Sequence, residues 1–289
     1  MPASDAVTSS VTFIGTATTL LRLGDFTVLT DPNFLHAGQR AYLGYGLWSR
    51  RLTEPALSIA ALPPLDGVVL SHLHGDHFDR VARRGLPPDL PIVSTPHAQR
   101  RLRRWGFTEA AGLRTGQSHE WRRGAQRLRV TAVPGRHGPG PVDLLLPPVM
   151  GSILDLERDG ERLLRVYITG DTLYRRMLAE IPARFPGIDV MLIHLGGTRL
   201  LGLLLTMDAR QGRRTVDLIR PGLTVPIHYD DYRVFRSPLR DFLRIVGTVE
   251  GSPLVRPIAR GQTLSLPDGA ELTVGDTVES RQVDGRQPG

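Results

Sequence analysis

The feature that most constrains this chain is the segment His72-Leu73-His74-Gly75-Asp76-His77. Four residues of metal-ligating type stand within six positions, directly after the apolar run Asp66–Ser71, which reads as a buried strand. Such a cluster is costly to assemble unless something neutralises or coordinates it, and imidazole with carboxylate suits zinc, manganese or iron. Where the chain leaves a strand it is still extended, so residues two apart, His72 and His74, point the same way. Asp76 and His77 then turn toward a second position as a helix begins near Asp79–Arg84. Ligands beyond the carboxyl ends of strands are the normal arrangement in α/β folds.

Three further residues of the same type occupy the same local setting. His137 follows the run Leu128–Val133, Asp171 follows Leu163–Thr169, and His228 ends Thr224–His228. Around them the chain alternates β-rich runs with helical patterns. Val11–Gly15, Thr19–Leu23 and Phe26–Thr30 read as strands, the last two joined by the hairpin signal Gly24-Asp25. Asp31-Pro32 ends the third and opens a loop, Asn33 to Arg51, rich in Gly, Tyr and Trp. A helix is expected near Ser58–Ala61, a strand at Ile92–Ser94, and a helix after Thr95-Pro96, with Thr95 as N-cap. Ser152–Glu157 and Leu163–Thr169 form an expected hairpin, and Val190–His194 a strand. Asp208–Ile219 reads as a helix, and Gln262–Leu266 with Leu272–Val274 as a final strand pair. Strands and helices alternating in both halves predict α/β layers with two central sheets. No linker divides the chain, so residues 1–289 are read as a single domain, with 278–289 a frayed tail.

Composition narrows the classes. At 289 residues the chain can bury a full core, and with no cysteine any metal site must use His, Asp or Glu. No apolar run approaches the roughly 20 residues of a membrane span, and the first ten residues lack a signal-peptide layout, so the expected location is cytoplasmic. The net charge of +7 invites a nucleic-acid reading. The chain contains no lysine, however, and arginine throughout points to base composition rather than to a selected phosphate-binding surface. The arginine clusters lack interleaved aromatics, which disfavours nucleic acid and favours a small-molecule substrate. Nothing in the sequence argues against a homo-oligomer.

The ordered set Asp31-Pro32, His72-Leu73-His74-Gly75-Asp76-His77, His137, Gly170-Asp171-Thr172 and His228 resembles the metallo-β-lactamase superfamily, over nearly the whole chain. Thr30-Asp31-Pro32-Asn33-Phe34, Leu62-Pro63-Pro64-Leu65-Asp66, Gly170-Asp171-Thr172-Leu173-Tyr174 and Ile227-His228-Tyr229 are similar to the branch of ascorbate-6-phosphate lactonase and N-acyl-phosphatidylethanolamine phospholipase D. The resemblance implies a four-layer αββα sandwich. It also implies two divalent ions, zinc first with manganese or iron as alternatives. His72, His74 and His137 would hold one ion, Asp76, His77 and His228 the other, with Asp171 bridging. The implied activity is hydrolysis of a phosphodiester, lactone or ester by a water that the ions activate and Asp76 aligns.

Other residues carry paired readings. Asp31 either orients a ligand histidine through its second ring nitrogen or makes a turn before a proline. His194 either meets substrate or leaving group, as a catalytic residue, or ends its strand in ordinary hydrogen bonds. His36, in the aromatic loop, and Tyr229, next to the last ligand, are candidate substrate contacts. Asp230 and Asp231 read as helix caps. The apolar stretches Val142–Met150 and Leu200–Leu205 either fold over the metals as a pocket for a lipophilic substrate or pack on a loop or partner. The rival functions are a nuclease and a non-hydrolytic, redox or sensor member of the fold.

Overall fold

A computed structural model describes residues 8–247 and 254–266. The proposed strand Leu272–Val274 and the tail 278–289 lie outside the described residues.

Two mixed sheets of seven strands organise the chain. The first runs, in spatial order, Thr263–Leu266, Ser9–Gly15, Thr18–Leu23, Phe26–Thr30, Gly67–Val69, Ile92–Ser94 and Ala110–Gly112. Its first four strands are antiparallel, and from Phe26–Thr30 onward it is parallel. The second runs Leu254–Val255, Leu223–Ile227, Val190–His194, Glu161–Ile168, Met150–Arg158, Gln126–Pro134 and Ser118–Arg123. It is parallel from Leu254–Val255 to Glu161–Ile168 and antiparallel thereafter.

Alternation of side chains along each strand gives each sheet two faces. Val11, Phe13, Leu21 and Val28 from the first sheet share one core with Val130, Leu154, Val166 and Leu192 from the second. Ile14, Leu20, Leu29 and Val68 face the other way, onto Ala82, Ala98 and Leu102 of the helices Arg80–Gly85 and Pro96–Arg104. The outer face of the second sheet is covered by Ala209–Ile219 and Leu239–Val246, through Val216, Ile219 and Phe242. Helix, sheet, sheet and helix therefore stack as four layers. Each large apolar side chain fully buried in these layers contributes about 1.5–3 kcal/mol. Side-chain caps start the helices: Asp79 accepts from Val81 and Ala82 N–H, Thr95 from Ala98, and Asp208 from Gln211.

Several short strands and two α-helices escaped the sequence reading, and three of them show why. Ser118–Arg123 lies at a sheet edge and is largely exposed, so it shows no apolar alternation. Ala110–Gly112 is only three residues of small side chains. The helix Leu239–Val246 buries Phe242 and Val246 but opens on Pro238, which offers no side-chain cap.

Topology now explains the recurrence of ligands at strand ends. Parallel strands within one sheet release their carboxyl ends at one edge. Phe26–Thr30 and Gly67–Val69 thereby deliver Asp31 and His72 together. Glu161–Ile168, Val190–His194 and Leu223–Ile227 deliver Asp171, His194 and His228. Gln126–Pro134, antiparallel to Met150–Arg158, runs in the same direction as those three and brings His137 to the same edge.

Candidate metal centre

At the shared edge of the two sheets the side chains form two adjoining sets whose nitrogen and oxygen atoms lie within 4.8 Å of one another. In the first set, His74 Nδ1 is 2.9 Å from His72 Nε2 and 3.3 Å from His137 Nε2. In the second, His77 Nε2 is 3.2 Å from Asp171 Oδ2 and 3.9 Å from Asp76 Oδ2, and His228 Nε2 is 3.5 Å from Asp76 Oδ2. The His72 and His77 rings, 4.2 Å apart, join the sets. All seven residues are buried.

The opposite ring nitrogens are held from behind. His137 Nδ1 donates to Leu205 O at 3.0 Å and His228 Nδ1 to Leu195 O at 3.1 Å. Because those partners only accept, Nδ1 carries the proton and Nε2 presents its lone pair to the site. His77 Nδ1 donates to Asp31 Oδ2 at 3.0 Å, which turns Nε2 toward the site. Asp31 also accepts from Ser71 N–H at 2.7 Å and Ser71 Oγ at 2.9 Å. The Ser71 hydroxyl, its proton committed to Asp31, accepts from His72 Nδ1 at 3.0 Å. Four of the five histidines thus show the side-chain orientation that metal ligands require.

Electrostatics favour positive charge here. Asp31, Asp76 and Asp171 are all buried around His77. Burial opposes charge on His77, but these carboxylates outweigh it and hold the imidazole well above its ordinary pKa. Burial would raise Asp171, yet His228 and His77 hold it well below the usual carboxylate value. In the first set burial, reinforced by the neighbouring imidazoles, pushes His72 far down and His74 to about 3, so both are neutral at pH 7. Asp76 Oδ1, Asp171 Oδ1, His77 Nε2 and His228 Nε2 have no hydrogen-bond partner among the described residues. Leaving such buried groups unpaired costs about 1–3 kcal/mol each. Carboxylate oxygens and imidazole nitrogens converging on one point suit a divalent cation, which would take the place of the proton the carboxylates otherwise hold on His77, so the donor set fits metal.

Backbone conformation supports the same edge. His228 and Asp31 have positive φ, 61° and 36°, uncommon for side-chain-bearing residues and costing roughly 1–3 kcal/mol each. His228 N–H donates to Thr16 O at 2.7 Å and Thr18 Oγ donates to Asp31 O at 2.7 Å, which holds both turns. Gly75 is required by close approach: a Cβ there would lie 2.6 Å from Tyr42 O.

The remaining sequence candidates fall in different places. His194 is fully buried behind His77, its ring stacked at 6.0 Å, with Nε2 3.3 Å from Asp31 and Nδ1 3.3 Å from Thr169 Oγ. Both of its nitrogens are engaged away from the open face. His36 is exposed and pairs with Glu54 at 2.7 Å on the outside of the loop. Tyr229 turns inward, 5.9 Å from Phe13 in the shared core, where burial, reinforced by Asp230, pushes its phenol up to about 12. Asp231 caps no helix. It is a fully buried ion-pair partner of Arg51 and Arg260 and accepts from Thr16 N–H. Sequence reading missed Arg51, fully buried, which donates to Asn33 O at 3.1 Å, while Asn33 Nδ2 donates to Gly75 O at 2.9 Å. Only the odd position of an arginine at the end of an aromatic loop could have flagged it.

Residues 27–229 match the Beta-lactamase superfamily domain, and the chain belongs to that family. The metallo-β-lactamase resemblance of the sequence holds at this level. An uncharacterised protein of Mycobacterium tuberculosis is 28% identical over 245 residues, 81% of this chain, and the match spans 62% of that relative's length. A UPF0173 metal-dependent hydrolase of Thermoplasma acidophilum is 25% identical over 184 residues, 64% of this chain and 74% of its own length. The crystal structure of a possible metal-dependent hydrolase from Veillonella parvula superposes with a TM-score of 0.74 at 23% identity, covering 90% of this chain and 100% of that one. That likeness establishes the shared fold. No helix among the described residues is long and apolar enough to cross a membrane.

Proposed function

We propose that this protein is a metal-dependent hydrolase holding two divalent cations, zinc first, and that it cleaves a phosphodiester or a lactone or ester. The observation that carries the reading is the pairing of two facing ligand sets with histidines whose outer nitrogens are all but one tied down. His72, His74 and His137 would hold one ion, Asp76, His77 and His228 the other, and Asp171, within reach of the second set and beside the first, would bridge. When bound, such a pair supplies Lewis acidity at the attacked carbonyl or phosphoryl group and acidifies the attacking water.

The chain's own residues do the rest. Asp76, with one carboxylate oxygen unpaired, is placed to align the attacking water and take its proton at Oδ1. Asp31 fixes the His77 tautomer, and His194 supports Asp31 from the far side, so both are positioning residues. No serine or cysteine nucleophile is needed, since the attacking oxygen comes from water.

The substrate reading with a lipophilic part, in line with the lactonase and phospholipase branch, draws on exposed leucines near the site. Leu144 is 80% exposed and Leu201 95%, and the segments carrying them adjoin His137 in sequence and through Leu205. Tyr45 Oη donates to Leu145 O, which ties the aromatic loop to the same rim. Metal analysis of protein purified without chelators, joined to a screen of lactones and phosphodiesters, tests the proposal. A stoichiometry near two with turnover of either class is expected; metal-free protein that takes up no zinc would sink it.

A further inference from the structure

Beside the metal-ligand cluster lies a cavity of about 330 Å³, within the range of small-ligand sites. His74, Gly75 and Gly44 form the wall it shares with the cluster. Its other walls combine arginine and large aromatic surface. Arg40, Arg80, Arg83 and Arg101 line it together with Trp48 and Trp105. The Arg83 guanidinium lies 4.5 Å from the Trp105 ring centroid and that of Arg101 5.7 Å from it, close enough for cation–π contact. A guanidinium stacked on a ring keeps its N–H edge free for an anion.

These four arginines, like several others on the arginine-rich surface, have no carboxylate partner among the described residues; what sets them apart is that they share one cavity. Arg127, Arg129, Arg165 and Arg260 each find a carboxylate. None of the four cavity arginines forms a salt bridge with a carboxylate of the described residues. The only acid on the wall, Asp79, is spent on backbone N–H groups of Phe34, Leu35, Val81 and Ala82. A further donor stands at the inner wall. His74 Nε2 is buried without a partner among the described residues, about 4.0 Å from where a Cβ on Gly44 would sit. Like charges gathered in a concave, apolar-walled space focus a positive field, which selects anions.

We infer that this cavity is a recognition subsite for an anionic group carried on a flat aromatic or apolar body. It rests on the hydrolase reading only in identifying that occupant as part of the substrate. The acid group would sit among the edges of the arginines that Trp105 holds and the flat body against the exposed Trp48, placing the scissile bond on the His74 side.

Calorimetry on the full chain as purified, with naphthalene-2-sulfonate as probe, tests it. One site per chain is expected, with sulfate alone and neutral 2-naphthol each weaker by about tenfold or more, since each lacks one half of the recognition. Arg83→Gln and Arg101→Gln should each weaken the probe about tenfold, the loss of one charge-assisted hydrogen bond, while Arg84→Gln, exposed on the same helix but off the cavity, changes nothing. With paired aryl esters, the two cavity variants should raise KM for the anionic ester, leave its kcat, and spare the neutral one. Equal binding of all three probes, or equal loss in Arg84→Gln, overturns the proposal. So does short single-stranded RNA that displaces the probe with steep salt dependence, which would mark a backbone-binding surface instead. Probe binding with the expected variant pattern but no hydrolysis of either ester leaves the subsite standing and removes the ester reading of the substrate.

Discussion

Asp31 and His77, 46 positions apart, meet at 3.0 Å with the Asp31 carboxylate accepting the Nδ1 proton of His77. The carboxylate also gathers Ser71 and His194, so one acid at the end of Phe26–Thr30 orders the side chains behind the ligand cluster. Although burial opposes ionisation, His77 and His194 hold its pKa at about 2. Replacing Asp31 with Ala strands four buried donors, and a loss of about 3–5 kcal/mol is expected in denaturant titrations. Metal affinity, read by chelator competition, should fall about 10–100-fold. Unchanged affinity would show that His77 needs no such support.

Metal removal should lower the melting temperature. Ligand present at a thousandfold excess over its Kd stabilises by about 4 kcal/mol, so chelator and zinc should move the transition in opposite directions. On the proposed two-ion reading, His228→Ala should reduce bound metal from two toward one, and Asp171→Ala should weaken both ions; metal analysis after dialysis checks each.

Asp231 should contribute to acid sensitivity, alongside Asp31 and Asp171, whose carboxyls are also held low. Burial would raise the Asp231 carboxyl, but Arg260 and its hydrogen bonds, with Arg51, leave it below the ordinary value of 3.8. A carboxyl whose pKa is lower folded than unfolded stabilises at pH above the unfolded value and loses that contribution as pH falls through the folded one. Chelator-treated protein should therefore weaken progressively below about pH 4. Asp231→Asn should flatten that slope and cost about 3–5 kcal/mol at neutral pH, because it leaves Arg51 buried and unpaired. Chemical denaturation across pH separates the two effects.

Gly75→Ala tests the close approach of the aromatic loop. The added Cβ would meet Tyr42 O at 2.6 Å and Tyr42 N at 2.8 Å, both backbone atoms that cannot swing aside. Overpacking of this kind costs about 1–3 kcal/mol. Since Gly75 sits between His74 and Asp76, bound metal should also fall; full metal content with unaltered stability would mean the loop yields freely.

Much of this was legible beforehand because strands, their ends and ligand chemistry are local. The apolar runs at Phe26–Thr30, Val190–His194 and the Ser152–Glu157 hairpin, and the cap at Thr95, follow from propensity, periodicity and capping within a few residues. The six-residue cluster at His72–His77 marked its own chemistry, and the family resemblance supplied its companions. What sequence left open was direction. Whether His194 faces substrate or Asp31, whether Tyr229 lines a pocket or the core, and whether Asp231 caps a helix or pairs with Arg51 depend on side-chain orientation across distant strands. Tertiary packing alone decided those outcomes, because each rests on partners more than twenty residues away whose approach is set by the stacking of two sheets. The same holds for the arginine and tryptophan cavity, assembled from a loop and two helices that share no sequence pattern.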